Sequence, residues 1–340
     1  MALLKDIARG AFGSCAPTPV NQVAINGYLV NNELFNLLQF VNIGMGSSIG
    51  NIQATVITYD KPDAADFRNI GEEYNVSNNT PIPVTLGLKM LGGELETDRL
   101  FSRAFSNMAN AIDNWTDQQI SQKVNSIINS FCKYFISGNA TTNPKQFDGL
   151  AVYFTKHAGQ VNATKTIPAL TSDNVMEVEQ YFNETIAKLD GAVSCVITTR
   201  KTGKPFLQTF ESYRQRGIQA IEVNDKKYQS FMGMPIVGLE DDYFPSDMTT
   251  GGTIPFIFCV FAENNGIRVA IPNDGQIFDI VRPKLGNMES GEAVFVRKGG
   301  VEMACVPFMV DPYCASKCSI KIAPAAGKWL ITLSNIRRVV

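Results

Sequence analysis

The sequence contains a single histidine, His157, among its 340 residues. A catalytic arrangement in which a histidine activates a serine or a cysteine would have to use it. It lies in a stretch that we interpret as a strand end or a loop, where a solvated histidine is the simpler interpretation. A loop ending in Gly-Lys-Ser/Thr, which would cradle phosphates, is also absent. These absences disfavour histidine-dependent catalysis and P-loop nucleotide binding.

Charged residues are also few, at 18% of the sequence, and the net charge is −2. A protein that grips nucleic acid through many phosphate contacts is normally basic, so strong nucleic-acid binding is disfavoured. No run reaches the ~18 apolar residues that span a bilayer. Lys5, Asp6 and Arg9 interrupt the stretch where a signal peptide would be unbroken. We expect a chain that is made and kept in the cytoplasm, with no membrane partner.

The seven cysteines are odd in number and scattered through apolar runs. This pattern favours reduced, buried thiols over a disulfide framework. Cys314 and Cys318 have no second pair beside them, so a zinc site is not expected. The glycines of residues 44–50 are similar to a dinucleotide-binding loop, but a predicted strand follows them where that mechanism requires a helix. We expect no cofactor and no metal.

The acidic run at residues 240–242 leaves one enzymatic alternative open. Carboxylates in such a run could seed a divalent-cation site, although a solvated loop is the more common structure. Glu240 and Asp241 would then carry the chemistry of a cytoplasmic, metal-dependent α+β enzyme.

Apolar patterning predicts a long hairpin followed by helices. Residues 51–60 and 82–91 are predicted strands on either side of a polar connection. A helix is predicted over 94–111, and a longer one over about 116–137, with Asn114 as its cap and Gly138 as its end. An isolated hairpin buries its faces poorly, so this one needs a neighbour to lie against.

The remaining residues predict a mixture of helices and mostly antiparallel strands, and the fold class is therefore α+β. Helices are predicted from residue 171 or 172 to 189 and over 205–216. Strands are predicted at 192–198, 218–223, 235–239, 254–262, 267–271, 276–281, 293–297, 301–307 and 319–323.

The order of several motifs resembles the major capsid proteins of tailed bacteriophages, over roughly residues 82–310. These motifs are a strand that leads through Gly92-Gly93 into acidic residues, a long helix ending in Phe-Ile-Ser-Gly-Asn, and a Pro-x-x-Phe-Asp-Gly-Leu stretch at 144–150. A helix–strand–Arg segment at 174–200 and a Gly-Met-Pro-Ile-Val strand at 233–237 follow in order. The resemblance implies the Hong Kong 97-type capsid fold and a structural protein, not an enzyme.

The resemblance also implies a division of the chain. An N-terminal arm would cover 1–40, an extended loop 41–97, and a peripheral domain with its spine helix 98–170. An axial domain would cover 171–250, with peripheral-domain strands returning over 251–310 and a C-terminal segment of the axial domain over 311–340.

Two groups of residues follow from the same resemblance. We expect contacts between subunits at Lys61, Lys89, Glu96, Asp98 and Arg99, in or beside the extended loop. A loop lysine could also form a crosslink, for which no partner can be assigned. A structural role in the family motif is expected for Pro144, Phe147, Asp148 and Gly149.

The implied partners are further copies of the chain, as hexamers and pentamers of an icosahedral head around double-stranded DNA held without sequence specificity. A portal, a scaffolding protein separate from this chain and decoration proteins are further expected partners in the virion. The alternatives are an encapsulin-type nanocompartment shell with the same fold, the metal-dependent enzyme above, and a tail or tube protein.

Overall fold

A computed structural model describes most of the chain, and its architecture is α+β as expected. It describes residues 32–42, 45–48, 51–59, 67–73, 81–98, 109–214, 220–224, 226–262, 266–272, 277–281, 296–309, 311 and 313–323. In this part of the chain, no helix is long and apolar enough to cross a membrane. The expected arm over 1–31 and the expected segment over 324–340 lie outside the described residues.

The described strands and helices are numbered in chain order. The strands are β1 Phe40–Asn42, β2 Met45–Ser48, β3 Asn51–Tyr59, β4 Pro81–Gly87, β5 Lys89–Asp98, β6 Lys165–Ile167, β7 Cys195–Thr199, β8 Ala220–Val223, β9 Lys226–Phe231, β10 Met234–Leu239, β11 Thr253–Cys259, β12 Ile267–Ile271, β13 Asp279–Val281, β14 Val296–Met309 and β15 Ala315–Ile322. The α-helices are α1 Ala109–Ser137, α2 Leu150–Lys156, α3 Val175–Ile186, α4 Gly203–Tyr213 and α5 Ser246–Thr249.

The largest sheet has seven strands in the order β6-β15-β11-β7-β10-β9-β8. Its central strands β7 and β10 are buried along their whole length, because helices and a second layer cover both faces. On one face the ring of Phe182, from α3, makes edge-on contacts with Phe210, Phe231 and Phe256 at 5.2–5.7 Å between centroids. This aromatic cluster fixes α3 and α4 on the sheet.

The second sheet has five strands, with the order β1-β12-β14-β13 and with β5 also paired to β14. α1 lies against it through apolar residues spaced by three and four, which form one buried stripe. The stripe consists of Ile120, Val124, Ile127, Ile128, Phe131 and Phe135. β5 and β14 pair in antiparallel register from Lys89–Cys305 to Asp98–Val296.

The third sheet, β2-β3-β4, contains the predicted hairpin. β3 and β4 are antiparallel, with Tyr59 opposite Pro81 and Gln53 opposite Gly87. Residues 44–50, whose glycines are similar to a dinucleotide-binding loop, contain a further strand, β2, which pairs with β3.

Residues 32–42 form a strap that joins both larger sheets to α1. Phe35 is fully buried, and its ring lies edge-on to Phe131 of α1 at 5.7 Å. Glu33 forms an ion pair with Lys204 of α4 at 3.0 Å and accepts a hydrogen bond from Gly238 N of β10 at 2.8 Å. Residues 32–40, which the expected arm over 1–40 includes, thus contribute side chains to the core.

Two predictions for residues 94–114 are wrong, and one later helix was not predicted. Residues 94–98 belong to β5 and not to a helix, because their backbone groups pair with β14. α1 begins at Ala109, so Asn114 lies inside the helix and does not cap it. Helix α2 was not predicted at all, since its seven residues are too few to show a clear period.

Strand pairing also departs from the boundary expected at residue 251. β11 pairs with β7 and β15 in the seven-stranded sheet and not with β12 and β14. The sequence of a buried strand without polar alternation does not indicate which sheet the strand joins. The strands at 293–297 and 301–307 were predicted separately, but residues 296–309 form one strand.

Candidate assembly surfaces

The connection between β3 and β4 contains a turn, Phe67–Glu73, that presents two large apolar side chains. The side chains of Phe67 and Ile70 are both fully exposed. Exposed apolar residues are common singly, whereas two in one short turn form a candidate contact surface. We call Phe67–Glu73 the tip turn.

Polar groups hold the tip turn in shape. The carboxylate of Glu72 accepts hydrogen bonds from the backbone N of Asn69 at 3.1 Å and from its Nδ2 at 3.0 Å. Arg68 Nη1 donates to the carbonyl oxygen of Glu72 at 3.1 Å. The side-chain hydrogen bond from Asn69 lowers the pKa of Glu72 below its ordinary value. Gly71 has a φ of 93°, which favours glycine.

The base of the hairpin is hydrogen-bonded to the loop that follows α1. Lys89 Nζ donates a hydrogen bond to the carbonyl oxygen of Pro144 at 2.7 Å. Lys89 was expected at a contact between subunits, and the structure gives it this partner within its own chain. The segment 144–149 thus anchors the strand that leaves the hairpin.

The other residues of the Pro-x-x-Phe-Asp-Gly motif are structural. Phe147 is buried against Phe131 at 5.7 Å between ring centroids. Asp148 accepts a hydrogen bond from Ala140 N at 2.9 Å and pairs with Lys156 at 2.9 Å. Partial burial opposes the charge of Asp148, but its bonds with Lys156 and Ala140 prevail, and its pKa falls below the ordinary value.

The outer face of the five-stranded sheet is acidic. Glu94 and Glu96 are exposed on β5, because alternate residues of that strand face outward. Asp279 and Glu302 face each other across β13 and β14, and both are exposed. Like charges placed directly opposite destabilise a strand pair, so this face carries a local electrostatic cost.

The expected contact residues thus fall into three groups. Glu96 lies on the acidic face, opposite Lys298 in the strand register, and Asp98 ends the same strand, opposite Val296. Lys89 is bonded within the chain. Lys61 and Arg99 lie outside the described residues. Phe67 and Ile70 were not among the expected contact residues, although two large apolar residues in a polar connection were a usable signal.

The residues of the enzymatic alternative do not converge. Glu240 pairs with Arg200 at 2.6 Å, and Asp241 and Asp242 belong to a 3-10 turn. Among the described residues, no group of three or more His, Cys, Asp or Glu side chains could hold a metal ion. The exposed ring of His157 lies 4.6 Å from that of Tyr153 at the end of α2.

Comparisons with known proteins identify the fold. Neither the scan against protein-family models nor the search of curated proteins found a match. Among solved structures, the holo-SrpI encapsulin complex of Synechococcus elongatus PCC 7942 is similar, with a TM-score of 0.55, 11% identity and coverage of 87% of this chain and 90% of that chain.

Two phage structures are similar to a comparable extent. A chain of Mycobacterium phage Bobi has a TM-score of 0.52 and 9% identity, with coverage of 85% of this chain and 90% of that chain. A chain of Mycobacterium phage Adephagia has a TM-score of 0.50 and 8% identity, with coverage of 86% and 91%. The chain has the Hong Kong 97-type capsid fold, which confirms the fold expected from its motifs.

Proposed function

We propose that this chain is the major capsid protein of a tailed phage. It self-assembles through hexamers and pentamers into an icosahedral head that encloses double-stranded DNA. The capsid fold supports the proposal, and the tip turn is the observation that carries it. The tip turn leaves Phe67 and Ile70 fully exposed, and two large apolar side chains in one short turn favour a contact with another molecule.

The energetics favour contacts between identical copies. Burial of one large apolar side chain is worth roughly 1.5–3 kcal/mol, so the tip turn contributes about 3–6 kcal/mol when both side chains are covered. That gain is modest for one pair of subunits. In a closed shell it is repeated at every subunit, and the contacts of each subunit act together.

The acidic face supplies a second proposed contact. A neighbouring subunit on this face would contact Glu96 and Glu94. The same neighbour would relieve the charge repulsion between Asp279 and Glu302. Asp98, Lys61 and Arg99 remain proposed contact residues beside it. Lys89 is not proposed as a crosslinking lysine, because its ammonium group is bonded to the carbonyl of Pro144.

The domain assignment follows the sheets. We assign the five-stranded sheet and α1 to the peripheral domain, and the seven-stranded sheet with α3 and α4 to the axial domain. β11 and β15 then belong to the axial domain through their pairing with β7. β2, β3 and β4 form the extended loop.

The proposed partners are those of a phage head. They are other copies of the chain, a portal, a separate scaffolding protein, decoration proteins and the packaged DNA. The net charge of −2 suits a wall that holds DNA without sequence specificity. The virion is the proposed location, after synthesis and assembly in the cytoplasm of the bacterial host, and no catalytic step is assigned to the chain.

An encapsulin-type shell is the second candidate, and the similarity to the SrpI encapsulin complex favours it. Both candidates predict hollow particles, so the enclosed material distinguishes them. Nuclease-resistant DNA inside particles purified from their native source supports the phage head. An enclosed enzyme without DNA supports the nanocompartment.

The first experiment is to express the full chain and image it by negative-stain electron microscopy. Hollow particles, capsomers or sheets are the expected result. The double variant Phe67→Ser/Ile70→Ser should keep the far-ultraviolet circular dichroism of the wild type and lose assembly. Met176→Ser, which changes an exposed apolar residue of α3, is the matched control and should still assemble. Normal assembly of the double variant would show that the tip turn is not required for assembly.

A further inference from the structure

Two cysteines face each other in the centre of the seven-stranded sheet. β7 and β11 are adjacent and antiparallel, and their register places Cys195 directly opposite Cys259. Both thiols are fully buried. Both lie in the core layer that also contains Ile197 and Ile257, so the two side chains project from the same face of the sheet.

This arrangement meets the geometric requirement for a disulfide. Directly opposed residues of antiparallel strands have Cα atoms about 4.5–5.5 Å apart. A disulfide joins Cα atoms about 4.4–6.8 Å apart. The register of β7 and β11 therefore places the two cysteines within the range that a disulfide bridges.

We propose that Cys195 and Cys259 are a paired oxidation site that closes into an intrachain disulfide across β7 and β11. The oxidant is a small peroxide such as hydrogen peroxide. One sulfur attacks the peroxide and becomes a sulfenic acid, with release of one water molecule. The second thiol then attacks that sulfur, the S–S bond forms, and a second water molecule leaves.

The position of the pair in the sheet explains how an oxidant reaches it. Cys195 is the first residue of β7 and Cys259 is the last residue of β11, so the pair closes one end of the ladder. Beyond it, Ser194 N donates to the carbonyl of Cys259 at 2.8 Å, and Phe261 N donates to Ser194 Oγ at 2.9 Å. The oxidant would enter when these hydrogen bonds open, because parts of a fold can open without unfolding of the whole domain.

Burial keeps the two thiols unreactive in a reducing medium. Removal from water raises the pKa of the Cys259 thiol well above its ordinary value, and the neighbouring Cys195 raises it further. The thiolate is the reactive form, so the closed ladder reacts slowly. The disulfide therefore forms only where peroxide persists long enough for the ladder end to open. The site lies within one chain and does not rest on the proposed shell function.

A third buried thiol tests the specificity of the pairing. Cys314 lies close by, because its carbonyl accepts a hydrogen bond from Val260 N at 2.9 Å. The register of β11 and β15 places Ala315, and not Cys314, opposite Cys259. A disulfide between Cys259 and Cys314 is therefore not expected.

The test is oxidation of the reduced, purified full chain with hydrogen peroxide, followed by alkylation of free thiols and non-reducing peptide mapping by mass spectrometry. The expected result is a Cys195–Cys259 linked peptide, the loss of two alkylated thiols and a higher melting temperature that a reductant reverses. Cys195→Ala and Cys259→Ala should each lose all three signals. Cys305→Ala removes another buried thiol and should keep them.

Peptide mapping of the wild type decides the question even where a variant fails to fold. The absence of the linked peptide after prolonged exposure would overturn the proposal. So would a linkage of Cys259 to a different cysteine, or a Cys195–Cys259 linkage that forms only in denatured protein.

Discussion

The backbone N–H of Gly149 donates a hydrogen bond to the carbonyl oxygen of Gly138 at 2.9 Å, which closes the end of α1 against the start of α2. The approach is so close that a Cβ atom on Gly149 would lie 2.6 Å from the carbonyl oxygen of Tyr134 and 2.8 Å from Gly138 N. Backbone atoms cannot rotate away as a side chain can. Glycine is therefore required here for space.

Gly149→Ala should destabilise the protein by more than about 2 kcal/mol, because the added methyl group forces the two helix ends apart. The measurement is the urea dependence of tryptophan fluorescence. Gly159→Ala is the matched control, since no atom lies within 4 Å of the Cβ it would add. Equal stability of the two variants would contradict the close approach.

Phe182→Ala should destabilise the seven-stranded sheet module by roughly 3–5 kcal/mol, because it empties the centre of an aromatic cluster. Thermal unfolding followed by circular dichroism measures the loss. Met176→Ala lies on the same helix and is largely exposed, so it should stay within about 0.5 kcal/mol of the wild type. A small effect of Phe182→Ala would mean that the cluster is poorly packed.

Asp148→Asn should lower the unfolding free energy by roughly 0.5–1 kcal/mol near neutral pH, since the pair with Lys156 is partly exposed. The pKa of Asp148 is depressed on folding, so its contribution is complete above the ordinary value of 3.8 and disappears as pH falls through the lower folded pKa. The two proteins should converge in acid. Urea unfolding across the acidic range tests this, and a gap that persists in strong acid would contradict it.

Lys89→Met should loosen the base of the hairpin, because it removes the hydrogen bond to Pro144 while it keeps the apolar stem. Hydrogen–deuterium exchange should rise in residues 81–98, with little change in α3 and α4. Lys145→Met, an exposed lysine beside Pro144, is the control and should leave exchange in that segment unchanged. Unchanged exchange in the Lys89 variant would show that pairing with β14 is enough to hold β5, and that the hydrogen bond to Pro144 is not needed.

The sequence predicted the elements whose pattern is local. The hairpin strands, the end of the long helix at Gly138 and the strand Ile267–Ile271 are confirmed, because alternation, helical spacing and glycine punctuation report on neighbouring residues. The structural role that the resemblance implies for 144–149 stays a prediction, which the burial of Phe147 and the hydrogen bond of Asp148 support.

What the sequence could not supply was long-range pairing. Residues 94–98 combine leucine and glutamate, which favour a helix locally, yet a partner strand 200 residues later holds them extended. The sheet to which β11 belongs is decided in the same way by β7 and β15. The register that places Cys195 opposite Cys259 likewise depends on the tertiary fold. The same is true of the exposure of Phe67 and Ile70.

The central claim is that the chain completes its burial against copies of itself. Sedimentation velocity of the purified full chain over a wide concentration range tests this most directly. The account predicts large, discrete species that grow at the expense of monomer as concentration rises, and their loss in the Phe67→Ser/Ile70→Ser variant. A single monomer boundary at every concentration would contradict the account.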